Sequence, residues 1–306
     1  MKRTVSLIPS ATEIVCALGF EDHLVGRSHE CDYPEFVKHL PPCTEPKFDP
    51  AGSSREVHER VQALLQDALS VYRVDVEKLQ GLQPDVIITQ AQCEVCAVSL
   101  QDVERAVATW VGSQPSLVSL SPQRLMDVWS DITRVAEALG DPARGAALTD
   151  GLQARVRTIG EKTKAIPTRP TVACLEWFDP LMATAHWVPE LVSLAGGQNL
   201  FGMAGQSAPM LTWEALQESD PDILLLMPCG FDIPRIRQEL ELLTGQLAWS
   251  GLKAVRSGRV YLTDGNQYFN RSGPRLVESL EISAEIFHPS VFQFGHEGIG
   301  WERLSS

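Results

Sequence analysis

Two short segments, far apart in this chain, share one organisation and limit the folds that it can adopt. Residues 79–89 and 216–227 each place a Pro-Asp pair directly before a run of aliphatic residues. Short apolar runs bounded by turn signals are typical of buried strands. Each run leads into a polar loop that contains cysteine. The repeat therefore predicts two α/β units, each with a buried strand that ends at a polar loop.

A second similarity precedes each of these segments. Residues 10–19 (SATEIVCALG) resemble residues 187–196 (WVPELVSLAG), and both read as a helix that ends at glycine. The two similarities occur in the same order along the chain. We therefore predict an α/β fold with two similar lobes and a ligand cleft between them.

The predicted elements divide the chain into four parts. An N-terminal α/β lobe covers residues 1–121, a helical segment 122–166, a C-terminal α/β lobe 167–289, and a tail 290–306. Within the helical segment, Asp141-Pro142 opens a helix that runs to about Lys164. We expect this long helix to be a spine that joins the two lobes.

The charge of the chain argues against two classes of partner. The chain has 306 residues and a formal net charge of −13. Nucleic acids and anionic membranes both attract basic surfaces, so neither is an expected partner. No run approaches the roughly 18 apolar residues of a membrane span, so we do not expect an integral membrane protein. Without an evident leader the sequence predicts a cytoplasmic protein, or a periplasmic one if a leader has been removed.

Polar and aromatic side chains follow several predicted strands, where α/β proteins bind their ligands. Gln90 and Gln92 follow the first Pro-Asp strand, and loop aromatics follow strands of the second lobe. Loop aromatic residues such as Trp177, Trp187 and Tyr268 are better ligand candidates than tryptophans in helical stripes, which favour the core.

The order of these motifs resembles a known family. SLIPSATEIVCALG, GRSHECDYP, LQPDVII, the strand and loop at 171–179, PDILLL and the turn at 268–274 follow one another as in the helical-backbone substrate-binding proteins. These proteins serve importers of cobalamin, haem and ferric siderophores, and the chain is most similar to the cobalamin-binding members. The resemblance implies a non-catalytic carrier, sensor or importer component that binds cobalamin or a related corrinoid.

The resemblance also implies which residues contact the ligand. A corrin is a large apolar disc with amide edges, so aromatic faces and side-chain amides suit it. By position, the resemblance implies that Tyr33, Trp177, Phe178, Tyr268 and Phe269 form the walls of the site. The chemistry of the neighbouring loops adds the remaining expected ligand-binding residues, which are His29, Asp32, Gln90, Gln92, His186, Trp187, Asn266 and Arg271. His29 or His186 could also ligate the corrinoid cobalt, because neutral imidazole suits that metal.

Members of this family dock on an ABC permease through one acidic residue in each lobe. Glu77 and Glu214 each stand seven residues before the proline of a Pro-Asp pair. The resemblance implies that these two glutamates are docking residues. An ordinary solvated glutamate on a short helix is the alternative interpretation.

Histidine and cysteine residues suggest a function of a different class. His29, Cys31, Cys93 and Cys96 combine an imidazole with three thiols, a set that could bind zinc. A redox pair of Cys93 and Cys96, or plain polar loop residues, remain alternatives. A third hypothesis is an enzyme that acts on a corrinoid or tetrapyrrole, although the sequence contains no GxSxG, P-loop or GxGxxG motif.

Overall fold

The computed structural model describes residues 1–67, 71–91, 100–108, 110 and 114–304. The chain divides into two compact units. The first contains residues 1–52, 56–122 and 126–151, and the second contains residues 53–55, 123–125 and 152–306. Within the described residues, no helix is both long and apolar enough to cross a lipid bilayer.

The elements from the N-terminus to the end of the long helix are strands and helices in mostly alternating order. They are β1 (Thr4–Ser6), α1 (Pro9–Ala17), β2 (Leu24–Arg27), β3 (Thr44–Pro46), α2 (Ser54–Asp67), β4 (Tyr72–Val74), α3 (Val76–Leu82), β5 (Val86–Gln90), α4 (Leu100–Ala108), β6 (Ser116–Leu120), α5 (Leu125–Leu139) and α6 (Pro142–Lys164). Four of these strands form a parallel sheet in the order β2-β1-β5-β6, while β3 and β4 form a separate antiparallel pair. Because these strands are parallel, the carboxyl ends of β2 and β5 lie at the same end of the sheet.

The remaining elements build a second sheet with its own helices. They are β7 (Thr171–Phe178), β8 (Leu181–Ala183), α7 (Val188–Leu194), β9 (Gln198–Asn199), α8 (Trp213–Ser219), β10 (Ile223–Leu226), α9 (Ile233–Glu239), α10 (Glu241–Thr244), α11 (Lys253–Arg256), β11 (Val260–Thr263), α12 (Leu276–Phe287) and β12 (Trp301–Arg303). The sheet order is β12-β11-β10-β7-β8, and β9 also pairs with β7. The central strands β7, β10 and β11 are parallel, while β8 and β12 are antiparallel to their neighbours.

The two Pro-Asp segments form the same structure, as the sequence repeat predicts. In each, a seven-residue helix (α3 or α8) has a side-chain N-cap, from Asp75 and Thr212. Each helix ends at a residue in the left-handed conformation, Gln83 or Asp220, before the Pro-Asp pair and a buried strand. The prediction of an α/β fold with two sheet-containing lobes is confirmed.

The long helix and the C-terminal residues complete the organisation of the chain. The helix predicted from Pro142 to about Lys164 is α6, and the division between the two units falls inside it, after Gly151. Within the predicted C-terminal tail, residues 301–303 form β12 and extend the second sheet. Three residues are too few to show the alternating pattern of a strand, so the sequence does not predict β12.

Each unit has its own apolar core. In the first, Val5 and Ile87 of the central strands pack with Leu79 of α3 and Val103 of α4. In the second, the fully buried strand β10 packs with residues of β7, β11 and the surrounding helices. Buried central strands of this kind give each sheet a rigid frame on which the loops after the strands are held.

Candidate ligand-binding site

The loop after β2 carries three of the predicted ligand residues, and Arg27 holds its backbone. The Arg27 guanidinium donates to the carbonyl oxygens of Ser28 at 2.9 Å and His29 at 3.1 Å. It also donates to the carbonyl oxygens of Lys38 and Leu40, at 3.2 and 3.1 Å. A single planar side chain therefore fixes both ends of the segment that contains His29, Asp32 and Tyr33.

His29 is positioned by Thr44 of β3. The Thr44 hydroxyl oxygen accepts the His29 backbone N–H at 3.1 Å and lies 2.8 Å from His29 Nδ1. The same hydroxyl donates to Ser28 Oγ at 3.0 Å. Burial, with a smaller contribution from Arg27, lowers the pKa of His29, so the imidazole is favoured in its neutral form. A neutral imidazole is the form that binds a metal.

Tyr33 presents an aromatic ring to solvent beside this ordered loop. Its exposed fraction is 43%, whereas Asp32 and His29 are half-buried. The neighbouring Glu30 accepts a hydrogen bond from the Tyr72 hydroxyl at 2.8 Å, and the Tyr72 ring lies 5.0 Å from the His29 ring. Tyr33 is therefore an exposed ring on a loop with a fixed backbone, which suits a ligand wall.

The predicted zinc set is only partly within the described residues. Cys31 is buried, and its sulfur accepts a hydrogen bond from the Thr12 hydroxyl at 3.0 Å. Cys93 and Cys96, like Gln92, lie outside the described residues. Among the residues that are described, no three His, Cys, Asp or Glu side chains are grouped to hold a metal ion. Gln90 ends β5 and is buried.

In the second unit, the aromatic residues at the end of β7 have different environments. Trp177 is half-buried, donates its indole N–H to the carbonyl oxygen of Asp179 at 3.1 Å, and lies 5.3 Å from the Phe231 ring. The Arg235 guanidinium covers that phenylalanine at 4.3 Å. Phe178 belongs to the apolar core. Of Trp177 and Phe178, only Trp177 therefore has a partly accessible ring.

His186 and Trp187 lie side by side before α7. Their ring centroids are 5.7 Å apart, and His186 Nδ1 lies 3.1 Å from the side-chain oxygen of Gln123. The Trp187 indole donates to the carbonyl oxygen of Phe269 at 2.6 Å. Both Trp187 and Phe269 are buried, and their contact with a ligand stays a prediction. Burial lowers the pKa of His186, which favours neutral imidazole.

The loop after β11, residues 264–275, is a dense polar network. Asp264 accepts the backbone N–H groups of Asn266 at 3.0 Å and Gln267 at 2.8 Å. Arg271 donates to the Asn266 side-chain oxygen at 3.0 Å, and Arg275 donates to the Gln267 side-chain oxygen at 2.8 Å. Burial raises the pKa of Asp264 although these hydrogen bonds oppose it. The loop thus presents amide groups that buried guanidinium groups hold in place.

Several residues that order the site are absent from the sequence predictions. Thr44 lies in no motif, and its position depends on the pairing of β3 with β4. Arg27 lies in the GRSHECDYP motif, but its hydrogen bonds to the carbonyl oxygens of Lys38 and Leu40 join parts of the chain that no local pattern connects. Asp264 and Gln267 are also missing, although Asp264-Gly265-Asn266 is a recognisable turn signal. Side chains that accept local backbone N–H groups are common in such turns, so Asp264 could have been proposed from the sequence.

The two predicted docking residues occupy equivalent positions in the two units. Glu77 is exposed in the first turn of α3, and Glu214 is exposed in the first turn of α8. A carboxylate in the first turn also suits the positive end of the helix dipole. Both carboxylates are exposed, and their role in docking stays a prediction.

Ordered loops after the parallel strands of an α/β sheet are the usual place for a ligand site, as in ligand-binding proteins. The family model described as "Periplasmic binding protein" matches residues 5–267, and the chain belongs to this family. The family consists of binding proteins.

Comparisons with individual proteins support the same assignment. The "Uncharacterized ABC transporter substrate-binding lipoprotein YvrC" of Bacillus subtilis is 26% identical over 95% of this chain and 82% of its own length. The "Vitamin B12-binding protein" of Vibrio vulnificus is 22% identical over 94% of this chain and 90% of its own length. A solved periplasmic heme binding protein from Pseudomonas aeruginosa has the same fold, with a TM-score of 0.74, 20% identity and coverage of 100% and 98%. The names of two of these proteins describe a lipoprotein and a periplasmic protein, and none of the three names supports the expected cytoplasmic location.

Proposed function

We propose that this chain is the substrate-binding protein of an ABC importer and that its ligand is a cobalamin-like corrinoid. The similarity to a vitamin B12-binding protein over 94% of the chain carries this proposal. The similarity to an ABC transporter substrate-binding lipoprotein supports an importer as the partner.

The chemistry of the ordered loops is compatible with a corrinoid. Tyr33 and Trp177 offer partly accessible aromatic faces for the apolar disc, at little cost in side-chain entropy. Asn266, which Arg271 holds, offers an amide for the amide-rich rim. His29 and His186 are favoured as neutral imidazoles, and either is a candidate ligand for the cobalt.

The proposal is tested by titrating metal-analysed protein with hydroxocobalamin, followed by calorimetry and visible absorbance. We expect micromolar or tighter binding, which Tyr33→Ala and Trp177→Ala weaken about tenfold or more by removing an aromatic face. Tyr33→Phe keeps the ring and serves as the matched control, as does Trp213→Ala on α8 for the loss of a tryptophan elsewhere. A shift in the cobalt absorption bands that is lost in His29→Ala or His186→Ala would identify the metal ligand.

Haemin in the same titration tests the main competing ligand. Tight binding of haemin without binding of hydroxocobalamin would replace the corrinoid by a haem. Absence of both, with stoichiometric zinc in the purified protein, would favour the zinc alternative with His29, Cys31, Cys93 and Cys96. Conversion of either ligand to a product would favour the enzyme hypothesis.

Docking on the importer is tested through the two equivalent glutamates. Glu77→Lys and Glu214→Lys should reduce ligand delivery to a reconstituted importer and leave ligand affinity unchanged, because both side chains are exposed on short helices. Glu104→Lys makes the same charge change at an exposed position of α4 and is the control. Equal uptake with all three variants would remove docking from the roles of Glu77 and Glu214.

A further inference from the structure

The C-terminal segment, residues 290–304, packs directly against the strand that leads into the 264–275 loop. Its strand β12 pairs with β11, and the Gly300 carbonyl oxygen accepts the backbone N–H of Asp264 at 3.0 Å. Gly300 approaches the Tyr268 ring so closely that an added Cβ would lie 3.1 Å from it. The segment therefore supports the loop that begins at Asp264, although the family match ends at residue 267.

Two glutamates of α12 hold this segment. Glu285 accepts the backbone N–H groups of Phe294, Gly295 and His296, the last at 3.2 Å, and the indole N–H of Trp301 at 3.0 Å. One turn earlier on the helix, Glu281 Oε2 lies 3.0 Å from His296 Nε2. Glu285 thus makes contacts that do not depend on a titrating partner, whereas the contact of Glu281 involves an imidazole.

The surroundings of His296 are mainly acidic. Glu281 receives two hydrogen bonds from Arg155 of α6, at 2.7 and 3.1 Å, and Glu278 and Glu285 flank it on α12. The hydrogen bond to Glu281 raises the pKa of His296, against the effect of burial, and the charges of Glu285 and Glu278 add to the rise. Burial favours a neutral Glu281, but the hydrogen bonds from His296 and Arg155 lower its pKa overall.

His296 also faces the 264–275 loop. Its ring centroid lies 6.4 Å from that of Tyr268 in an edge-on arrangement. The Arg275 guanidinium lies 5.3 Å from the centroid of the Tyr268 ring and donates to Gln267. A continuous set of contacts therefore runs from Glu281 through His296 and Tyr268 to the network that holds Gln267.

We propose that the His296–Glu281 pair is a pH-sensitive clasp that holds the C-terminal segment against the 264–275 loop and so strengthens ligand binding at acidic pH. His296 acts as a positioning residue, since it orders the loop through Tyr268. The inference rests on the proposed function for its effect on ligand affinity, while the clasp itself is a property of the ligand-free protein.

The direction of the pH effect follows from the histidine. The pKa of His296 is higher in the folded protein than its ordinary value of 6.5. The stabilisation by the ion pair is therefore complete below pH 6.5 and is lost as the pH rises through the raised pKa. Arg155 remains charged throughout, so Glu281 keeps one cationic partner at alkaline pH.

Hydrogen exchange of the ligand-free protein tests the clasp without any ligand. Backbone protection of residues 290–304 and 264–275, corrected for the intrinsic effect of pH on exchange, should fall between pH 6 and 9 in the wild type. In His296→Gln, which cannot become charged, protection should be low and constant. His39→Gln removes an exposed histidine elsewhere and should behave as the wild type does. Glu281→Gln should also abolish the pH dependence, because it removes the anionic partner.

The ligand arm measures hydroxocobalamin affinity over the same pH range. We expect about five-fold weaker binding at the alkaline end in the wild type and no such difference in His296→Gln. A wild-type pH profile of protection in His296→Gln would overturn the clasp. Protection that follows the expected pattern, with no hydroxocobalamin binding at any pH, would keep the clasp and reject the corrinoid proposal.

Discussion

The carboxylate of Asp222 accepts the backbone N–H of Thr171 at 2.8 Å, at the point where β7 begins. In the first unit, Asp85 accepts the backbone N–H of Arg3 at 2.7 Å, immediately before β1. In both units the aspartate of the Pro-Asp pair therefore joins the start of its own strand to the start of the neighbouring central strand. The two repeated segments therefore share this hydrogen bond as well as their residue pattern.

Loss of this aspartate should lower the free energy of unfolding more in the second unit than in the first. Asp222 also interacts with the Thr171 hydroxyl at 3.0 Å and with Lys253 at 2.5 Å, whereas Asp85 is exposed. We expect Asp222→Ala to lower the free energy of unfolding by about 1–3 kcal/mol and Asp85→Ala to lower it less. Urea denaturation of both variants measures the difference, and a larger effect at Asp85 would contradict the argument.

Thr44 should control the order of the loop after β2. Thr44→Val keeps the shape of the side chain but removes the oxygen that accepts the His29 backbone N–H and contacts its ring. We expect a loss of about 1–3 kcal/mol in the free energy of unfolding, together with weaker ligand binding. Thr44→Ser retains the hydroxyl and should restore most of both. Equal behaviour of the two variants in denaturation and titration would show that the hydroxyl is unimportant.

Asp131 of α5 should make the stability of the protein depend on pH. Burial raises the pKa of its carboxyl to about 6, although Arg134 lies 3.2 Å away. The folded state then holds the proton more tightly than the unfolded state, so stability falls as the pH rises from 3.8 through about 6.

Asp131→Asn should remove this loss. Relative to the wild type, the free energy of unfolding of the variant should rise by roughly 3 kcal/mol between pH 3.5 and 7.5, at about 1.4 kcal/mol for each pKa unit. Denaturation curves at four pH values across this range provide the measurement. A difference between the two proteins that does not change with pH would mean that Asp131 titrates normally.

Replacement of Gly265 by a larger residue should destabilise the protein, because there is no space for a side chain. An added Cβ would lie 2.2 Å from the Pro228 carbonyl oxygen and 2.9 Å from that of Met227, so it would push apart the ends of β10 and β11. We expect Gly265→Ala to cost about 1–3 kcal/mol and to disturb ligand binding through the 264–275 loop.

Gly151 provides the matched control for that substitution. It lies inside α6, and an added Cβ would meet no atom within 4 Å. Gly151→Ala should therefore stabilise the protein by up to about 1 kcal/mol, because alanine is the better helix former. Thermal unfolding of the two variants should show shifts of opposite sign, and a shift of the same sign would be inconsistent with the packing at Gly265.

Local patterns in the sequence are sufficient for the two-lobe fold but insufficient for the details of the site. The Pro-Asp segments and the helix from Pro142 are visible because their signals lie within a few adjacent residues. Strands β3 and β4 have only three residues each, and paired residues are more than twenty-five positions apart in the sequence. No local pattern predicts this pairing. Thr44 is on β3, so its role could not be predicted either.

Burial explains why aromatic residues near strand ends do not all have the same role. Tyr33 and Trp177 keep accessible rings, while Phe178, Trp187 and Phe269 are enclosed by neighbouring elements. Composition around these residues is similar, since each occurs in or next to a predicted loop. The difference arises from tertiary contacts, such as the hydrogen bond from Trp187 to the Phe269 carbonyl oxygen, that sequence neighbours do not encode.

The antiparallel strand β12 also covers the outer backbone of β11, which would otherwise present unpaired N–H and C=O groups. An uncovered edge of this kind is a template on which other chains can add strands. β12 then forms the edge itself, but it has only three residues and carries Glu302 and Arg303, and short, charged edge strands discourage such pairing. We therefore expect a shortened chain that ends at residue 289, with the apolar strand β11 at its edge, to aggregate more readily.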